Sequence, residues 1–233
     1  MKFLILFLSL NLFSDSFHKD SISVNGECTE KINPDRIRIE FNVEVTEKKQ
    51  QQSTIKANEI YKRLKAGVNK INPRDLELNT SNYNVHPNYD YNGGRRKLRG
   101  YKTNIGLTVI SSEMEKSGDI INVGNIAGVA NIQGPNPFVS LTTYQENYKK
   151  CLAIAAKNAK SKARMLAKTL DVTLGDAIKV NETNHNSYQV HRPQRMMMRS
   201  AKSMSSVQAD SAPSMEFGKQ TLNVKLNVQF AIR

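Results

Sequence analysis

The sequence predicts an α+β fold: an antiparallel sheet of about seven strands with three helices packed mainly on one face, in two layers. Two segments, residues 36–45 and 222–232, alternate apolar and polar side chains, as strands with one buried face do. A third, residues 144–170, repeats small and apolar residues at the i, i+3, i+4 spacing of an amphipathic helix. The predicted element order, ββαββαβαββ, does not fit a parallel doubly wound fold.

The first sixteen residues resemble a secretory signal peptide. Lys2 supplies a positive start, residues 3–13 are apolar, and Ser14 and Ser16 place small side chains at the cleavage positions. We expect cleavage after Ser16 and export of residues 17–233. An uncleaved anchor is the alternative, but the apolar run is shorter than the roughly 20 residues of a membrane span. We expect no transmembrane span in the mature chain.

The first half of the chain is predicted to contain four strands and one long helix. The helix has an apolar face and ends at the Asn72-Pro73 pair, because the residue before a proline disfavours helical geometry. The last two strands flank a predicted loop over residues 89–101. The predicted strands are residues 22–28, 36–45, 76–85 and 101–110, and the helix is residues 47–71.

The second half is predicted to contain two helices and three strands. Ser112 and Glu115 can cap a helix ending near Gly128, and Thr143 with Glu146 can cap the helix of residues 144–170. Residues 132–141 hold two prolines and form an edge strand at best. Strands follow at residues 177–182 and 222–232. The apolar stripe of the long helix is Tyr148, Cys151, Leu152, Ala155, Ala159, Ala163, Leu166, Ala167 and Leu170, with Lys162 at its edge.

Residues 185–218 are polar and lack periodicity, which predicts a long flexible insert. Its methionines and two histidines could hold a soft ion such as Cu(I). We favour a flexible, oxidisable loop without metal, and we hypothesise that the methionines act as sacrificial oxidant targets. The four histidines lack ligand spacing on a helix, so no metal or cofactor is predicted. The two histidines and the methionines of the predicted insert are His185, His191, Met196, Met197, Met198, Met204 and Met215.

The two cysteines, Cys28 and Cys151, both lie in phase with buried positions. In an oxidising compartment they could form a disulfide. The interpretation that we favour from the sequence is a pair of unbonded, buried small hydrophobic residues.

No catalytic motif is found in the sequence: it has no GxSxG, no P-loop and no HExxH. General acid–base catalysis needs paired groups in a cleft, and the carboxylates fall mostly on solvated faces, such as Glu40 and Glu44. We therefore predict a protein that is not an enzyme, with an unrecognised hydrolase as the remaining enzymatic alternative.

The formal net charge of +13 predicts contact with anionic surfaces. The predicted loop of residues 89–101 places cations beside tyrosines, a composition found in single-strand nucleic-acid binders and in hairpin tips. Because export removes nucleic acid as a ligand, we predict anionic headgroups or phosphates of the cell envelope instead. The predicted contact residues are Arg95, Arg96, Lys97 and Arg99.

Several local segments, taken in order, resemble the SIMPL domain family of bacterial envelope proteins. They are ISVNGECT at residues 22–29, GYKTNIGLTVIS at 100–111 and the alanine-rich helix with its exit turn at 158–175. The methionine- and serine-bearing insert and the final strand are also similar. Residues 17–233 are thus interpreted as one such domain. Asp171 stands where glycine is common, and aspartate tolerates the left-handed conformation that this turn requires.

The resemblance implies an exported protein of the periplasm or outer membrane, linked to tolerance of oxidative and other stress. It also implies large ring- or channel-like homo-oligomers, and it carries no catalytic residue over to this chain. We expect an oligomeric envelope assembly. The alternative from a different class is a monomeric binding module for an anionic envelope ligand.

Overall fold

The computed structural model describes residues 20–92, 95–183 and 217–233, and the predicted signal peptide and most of the predicted insert lie outside these ranges. The described part contains seven strands and three α-helices, which confirms the predicted α+β class. In chain order they are β1 (Ser21–Ile32), β2 (Arg36–Glu47), α1 (Gln50–Ile71), β3 (Glu77–Asn92), β4 (Arg95–Ser111), α2 (Ser117–Ala127), β5 (Asn131–Phe138), α3 (Leu141–Thr169), β6 (Leu174–Glu182) and β7 (Gln220–Ile232).

The seven strands form two antiparallel sheets, and the chain divides into two compact units. The terminal unit comprises described residues 20–28, 151–183 and 223–233. The central unit comprises described residues 29–92, 95–150 and 217–222. The predicted strands are thus shared between a sheet of three and a sheet of four.

The terminal unit is built on the three-stranded sheet, in which β7 lies between β1 and β6. β1 and β7 bury every second side chain, as the alternating sequence predicts. α3 packs against this sheet through a narrow row of residues spaced four apart. The buried residues of α3 are Cys151, Ala155, Ala159, Ala163 and Ala167.

The contact between α3 and β1 is close because both sides carry small residues. A Cβ atom on Gly26 would lie only 2.8 Å from the Cβ of Ala159. The apolar stripe predicted for α3 is wider than the buried face that the structure shows. Leu166 and Leu170, which belong to the predicted stripe, are 38% and 62% exposed. The helix lies so close to the strand that only the row of Cys151 and the alanines is buried. Lys162 reaches round the helix as expected, and its Nζ donates to the carbonyl oxygen of Asn25 over 2.9 Å.

The central unit is built on the four-stranded sheet, in the order β3-β4-β2-β5. β5 is an edge strand, as its prolines predict, and its register against β2 shifts between Arg38 and Glu40. α1 and α2 pack on one face of this sheet over alternate strand residues. The buried core is Ile37, Ile39, Phe41, Leu64, Val68, Leu107, Val109, Ile120 and Ala127.

The predicted starts of α1 and α2 differ from those in the structure. Where a helix of residues 112–128 is predicted, the chain first forms a short 3-10 helix, Met114–Lys116, and then α2, which begins at Ser117. Ser112 does not cap it, because its hydroxyl donates to the carbonyl oxygen of Arg74 at 3.4 Å. α1 begins at Gln50 and ends, as expected, beside Pro73, with Asn72 in the left-handed conformation and its N–H bonded to the oxygen of Val68.

The start of α3 is organised by Asp35 instead of the predicted pair of Thr143 and Glu146. The helix begins at Leu141, and the backbone N–H of Thr143 donates to the Ser140 hydroxyl at 3.3 Å. The Asp35 carboxylate accepts hydrogen bonds of 2.6 Å from the Ser140 backbone, the Ser140 hydroxyl and the Thr143 hydroxyl. Burial raises the pKa of Asp35, but these hydrogen bonds outweigh it and hold the pKa below its ordinary value.

Candidate functional site

A two-stranded arm extends from the central sheet. The pairing of β2 with β4 ends at Glu47 and Tyr101, whereas the pairing of β3 with β4 continues to Asn92 and Arg95. The prediction of a loop over residues 89–101 is therefore wrong, because most of that segment is paired strand. Tyrosine favours strands, and the polar composition of the segment masked this propensity. We call residues 88–92 and 95–100 the basic arm.

Gly100 lies at the base of the basic arm and needs to be a glycine. Its φ of +151° is a conformation that side chains rarely adopt, and a Cβ atom there would lie 2.3 Å from the carbonyl oxygen of Glu47. A register shift between Asn88 and Tyr89 lies opposite this glycine. The close approach fixes the point at which the arm leaves the sheet.

The predicted contact residues lie together on the basic arm. The guanidinium carbon of Arg96 is 3.5 Å from the centre of the Tyr89 ring, a cation–π contact. Arg99 forms an ion pair with Asp90, with its Nε 2.9 Å from the carboxylate. Lys97 is exposed and has no ion-pair partner in the described ranges. The side chain of Arg95 lies outside the described part.

The basic arm presents positive charge on both of its faces. Lys97 and Arg99 share one face, because Lys97 pairs with Asp90 across the strands and Arg99 contacts the same Asp90. Arg96 lies on the other face, next to Lys97 along the strand. Asp90 offsets part of the charge of Arg99, so Arg96 and Lys97 are the cations best placed for an external anion. Such an arm can contact an anionic surface with either face.

A second candidate surface lies along β6, an edge strand of the terminal unit. Ile178 and Val180 are 42% and 59% exposed. Val180 pairs with Val228, which is buried, so Val180 lies on the face of the sheet that α3 covers. α3 lies close against β1, on the far side of β7, and leaves the side chain of Val180 exposed. No strand of the described ranges pairs with the outer edge of β6, and exposed apolar side chains on such an edge are typical of an interaction surface.

A third candidate surface is the side of α3 above β1. Ile154, Leu166 and Leu170 are 52%, 38% and 62% exposed, and they fall in the same row as Asn158 and Lys162. Asn158 accepts a 3.3 Å hydrogen bond from the backbone of β1, which locates this row on the β1 side. We call this row the α3 flank. It lies at the opposite end of the three-stranded sheet from β6.

Cys28 and Cys151 form a disulfide, so the interpretation of two unbonded cysteines is wrong. Both side chains are buried between β1 and α3, as predicted. Their pairing depends on bringing together residues 123 positions apart, which no local pattern reveals. The intervening residues 29–150 form most of the central unit, so the disulfide links the two chain positions at which the central unit begins and ends.

The described residues contain neither a metal-binding cluster nor a membrane-spanning helix. In residues 20–92, 95–183 and 217–233, no three His, Cys, Asp or Glu side chains gather as a metal site would require. The insert methionines, with His185 and His191, lie outside these ranges. Within the same ranges, no helix combines the length and the apolar content needed to cross a bilayer.

Together, the fold and these surfaces define a disulfide-closed α+β protein of two units whose candidate sites are interaction surfaces. The chain belongs to the SIMPL family, described as a protein of unknown function (DUF541), whose model matches residues 22–230. It is similar to the 26 kDa periplasmic immunogenic protein of Brucella melitensis biotype 1. The two are 25% identical over 222 residues, which is 91% of this chain and 84% of that protein.

Proposed function

We propose that this chain is an exported, non-enzymatic protein of the periplasm or outer membrane that acts as a ring- or channel-like homo-oligomer in stress tolerance. Three observations support export. Residues 1–16 have the pattern of a signal peptide. The disulfide is typical of an oxidising compartment. The Brucella relative is named as a periplasmic protein.

The observation that carries the assembly proposal is the pair of apolar surfaces on the terminal unit. β6 and the α3 flank lie at opposite ends of one sheet, and the first is a strand edge whereas the second is a row of helix side chains. Two different surfaces favour a head-to-tail contact, in which β6 of one copy meets the α3 flank of the next. Head-to-tail contacts generate rings when the rotation between copies closes.

Light scattering on the purified mature chain tests the assembly. We expect a mass beyond that of a dimer at micromolar concentration, at both low and high salt, because the proposed contacts are apolar and salt screens only charges. A monomer mass in both conditions would contradict the proposal.

The second candidate function is binding of an anionic envelope surface by a monomer, and the basic arm supports it. Arg96 and Lys97 are exposed, and only Asp90 opposes the charge of the arm among its described side chains. Co-sedimentation with vesicles containing phosphatidylglycerol, compared with pure phosphatidylcholine vesicles, tests it. Equal binding to both vesicle types would contradict a charge-based contact.

A further inference from the structure

α1 and α2 of the central unit form a cleft, open to solvent, near their C-terminal ends. Gly67 of α1 allows α2 to approach closely, since a Cβ atom there would lie 2.4 Å from Cγ1 of Val123. The cleft has a volume of about 510 Å³. That volume lies within the range of small-molecule sites, roughly 300–1,000 Å³.

The walls of this cleft are apolar. Ile71, Val123 and Ile126 line it. Ile71 and Val123 also pack against the core of the central unit, which holds them in place, whereas Ile126 is 78% exposed. Ile126 is the most exposed large hydrophobic side chain in the described part of the chain. Water contact with these side chains is unfavourable, so an apolar group that displaces the water would be stabilised.

The charged residues that line the cleft are both cations, Arg63 and Lys70, and no described carboxylate lines it. The Nη2 of Arg63 donates to the carbonyl oxygen of Ala127 at 3.2 Å, which holds the guanidinium group beside the cleft. Lys70 is exposed in the last turn of α1 and has no ion-pair partner in the described ranges. The cleft thus combines apolar walls with positive charge.

From this combination we infer that the cleft binds a single-chain carboxylate amphiphile of the fatty-acid type. The acyl chain lies against Ile71, Val123 and Ile126, and the carboxylate is bound by Lys70 and Arg63. A neutral chain gains only the apolar contacts, and a cationic chain is repelled by both basic residues. This inference does not depend on the proposed oligomer or on the basic arm.

Titration calorimetry of the full mature chain with decanoate below its micelle concentration tests the inference. Decyl maltoside and decyltrimethylammonium serve as neutral and cationic probes. We expect decanoate to bind more tightly than decyl maltoside, and decyltrimethylammonium to show no binding. Equal affinity for the three probes would overturn the inference, as would binding to phosphatidylglycerol vesicles without binding to monomeric decanoate.

Variants locate the site. Ile126→Ser is expected to weaken decanoate binding about tenfold through lost apolar contact. Lys70→Gln is expected to weaken it about threefold to fivefold, without changing the affinity for decyl maltoside. Ile55→Ser and Lys65→Gln are the matched controls, because both residues are exposed on α1 outside the cleft. Equal losses in the controls would overturn the assignment to this cleft.

Discussion

A Cβ atom placed on Gly26 of β1 would lie 2.1 Å from the carbonyl oxygen of Ala155 in α3. The helix backbone therefore rests directly on the strand, and the contact leaves no room for a side chain. We expect Gly26→Ala to lower the free energy of unfolding by about 1–3 kcal/mol, because backbone must shift to admit the methyl group. Chemical denaturation monitored by circular dichroism measures the change.

Gly218 supplies the matched control for this substitution. A Cβ atom there would meet no atom within 4 Å. Gly218→Ala is expected to change stability by no more than about 0.5 kcal/mol, as surface substitutions usually do. Similar losses for the two variants would contradict the close packing of α3 on β1.

The disulfide is expected to be a major source of stability. Replacing Cys28 and Cys151 by alanine should lower the free energy of unfolding by about 2–5 kcal/mol, because the bond closes a long loop in the unfolded chain. Guanidinium unfolding with and without reductant measures this. Reductant should destabilise the parent protein and leave the double variant unchanged. If the parent and the double variant had the same guanidinium midpoint of unfolding without reductant, the disulfide would not contribute to stability.

Asp35 is expected to make stability depend on pH in the acid range. Its folded pKa lies below the unfolded value of about 3.9. The contribution of the ionised Asp35 to the free energy of unfolding is therefore complete at pH values above the pKa of the unfolded chain. It is lost as pH falls through the pKa of Asp35 in the folded protein. At neutral pH, Asp35→Asn should cost about 0.5–2 kcal/mol through lost hydrogen bonds at the start of α3. The difference in the free energy of unfolding between Asp35→Asn and the parent protein should become smaller below about pH 4.

Thermal unfolding of Asp35→Asn across this pH range checks the prediction. Asp176→Asn removes the same charge from an exposed position of β6 and is the control. It is expected to stay within about 0.5 kcal/mol of the parent at neutral pH. A pH-independent difference between Asp35→Asn and the parent would contradict the assigned role of the carboxylate.

The proposed head-to-tail contact predicts complementary behaviour of two variants. Val180→Lys removes the β6 surface and Leu170→Lys removes the α3 flank, so each alone should give monomers. Mixing them should give heterodimers only, because each variant retains the surface that the other lacks. Light scattering and native mass spectrometry distinguish these species.

Asn181→Lys is the control for the assembly, because it adds the same charge to β6 on the opposite face of the strand. It should assemble like the parent. Self-association of Leu170→Lys alone, with no change on mixing, would instead indicate a contact between two identical β6 edges.

The basic arm is expected to contribute binding to anionic vesicles through Arg96 and Lys97. Neutralising either to glutamine should weaken binding about fivefold, since one cation near an anionic surface contributes about 1 kcal/mol. Arg99→Gln should have a smaller effect, because Arg99 is paired with Asp90. Co-sedimentation at two salt concentrations measures the affinities. An equal loss from Lys62→Gln on α1 would show that net charge, and not the arm, governs binding.

Elements with a strong local period could be predicted from the sequence. β2 and β7 alternate apolar and polar residues over their lengths, and both bury the predicted face. Asp171 has a φ of 54°, as expected for the turn after α3. Such features depend on neighbours within a few residues, so the local sequence carries the information.

The candidate sites were predicted less well, because their properties depend on distant residues. The cations Arg96, Lys97 and Arg99 were identified by composition, but the pairing of the arm and the Asp90 contact were not. The sequence of neither α1 nor α2 predicts the cleft between them, because the cleft forms where Gly67 of α1 contacts Val123 of α2.

The sequence by itself determined the fold class, the alternating strands and the small-residue row of α3, since each follows from the repeat of the backbone it belongs to. Tertiary structure decided that Cys28 meets Cys151, that the strands divide into two sheets, and that Leu170 and Val180 stay exposed. The physical reason is that a periodic pattern defines a face but not what covers it. Coverage depends on how closely the partner element can approach, and here Gly26 and the alanines of α3 determine that distance.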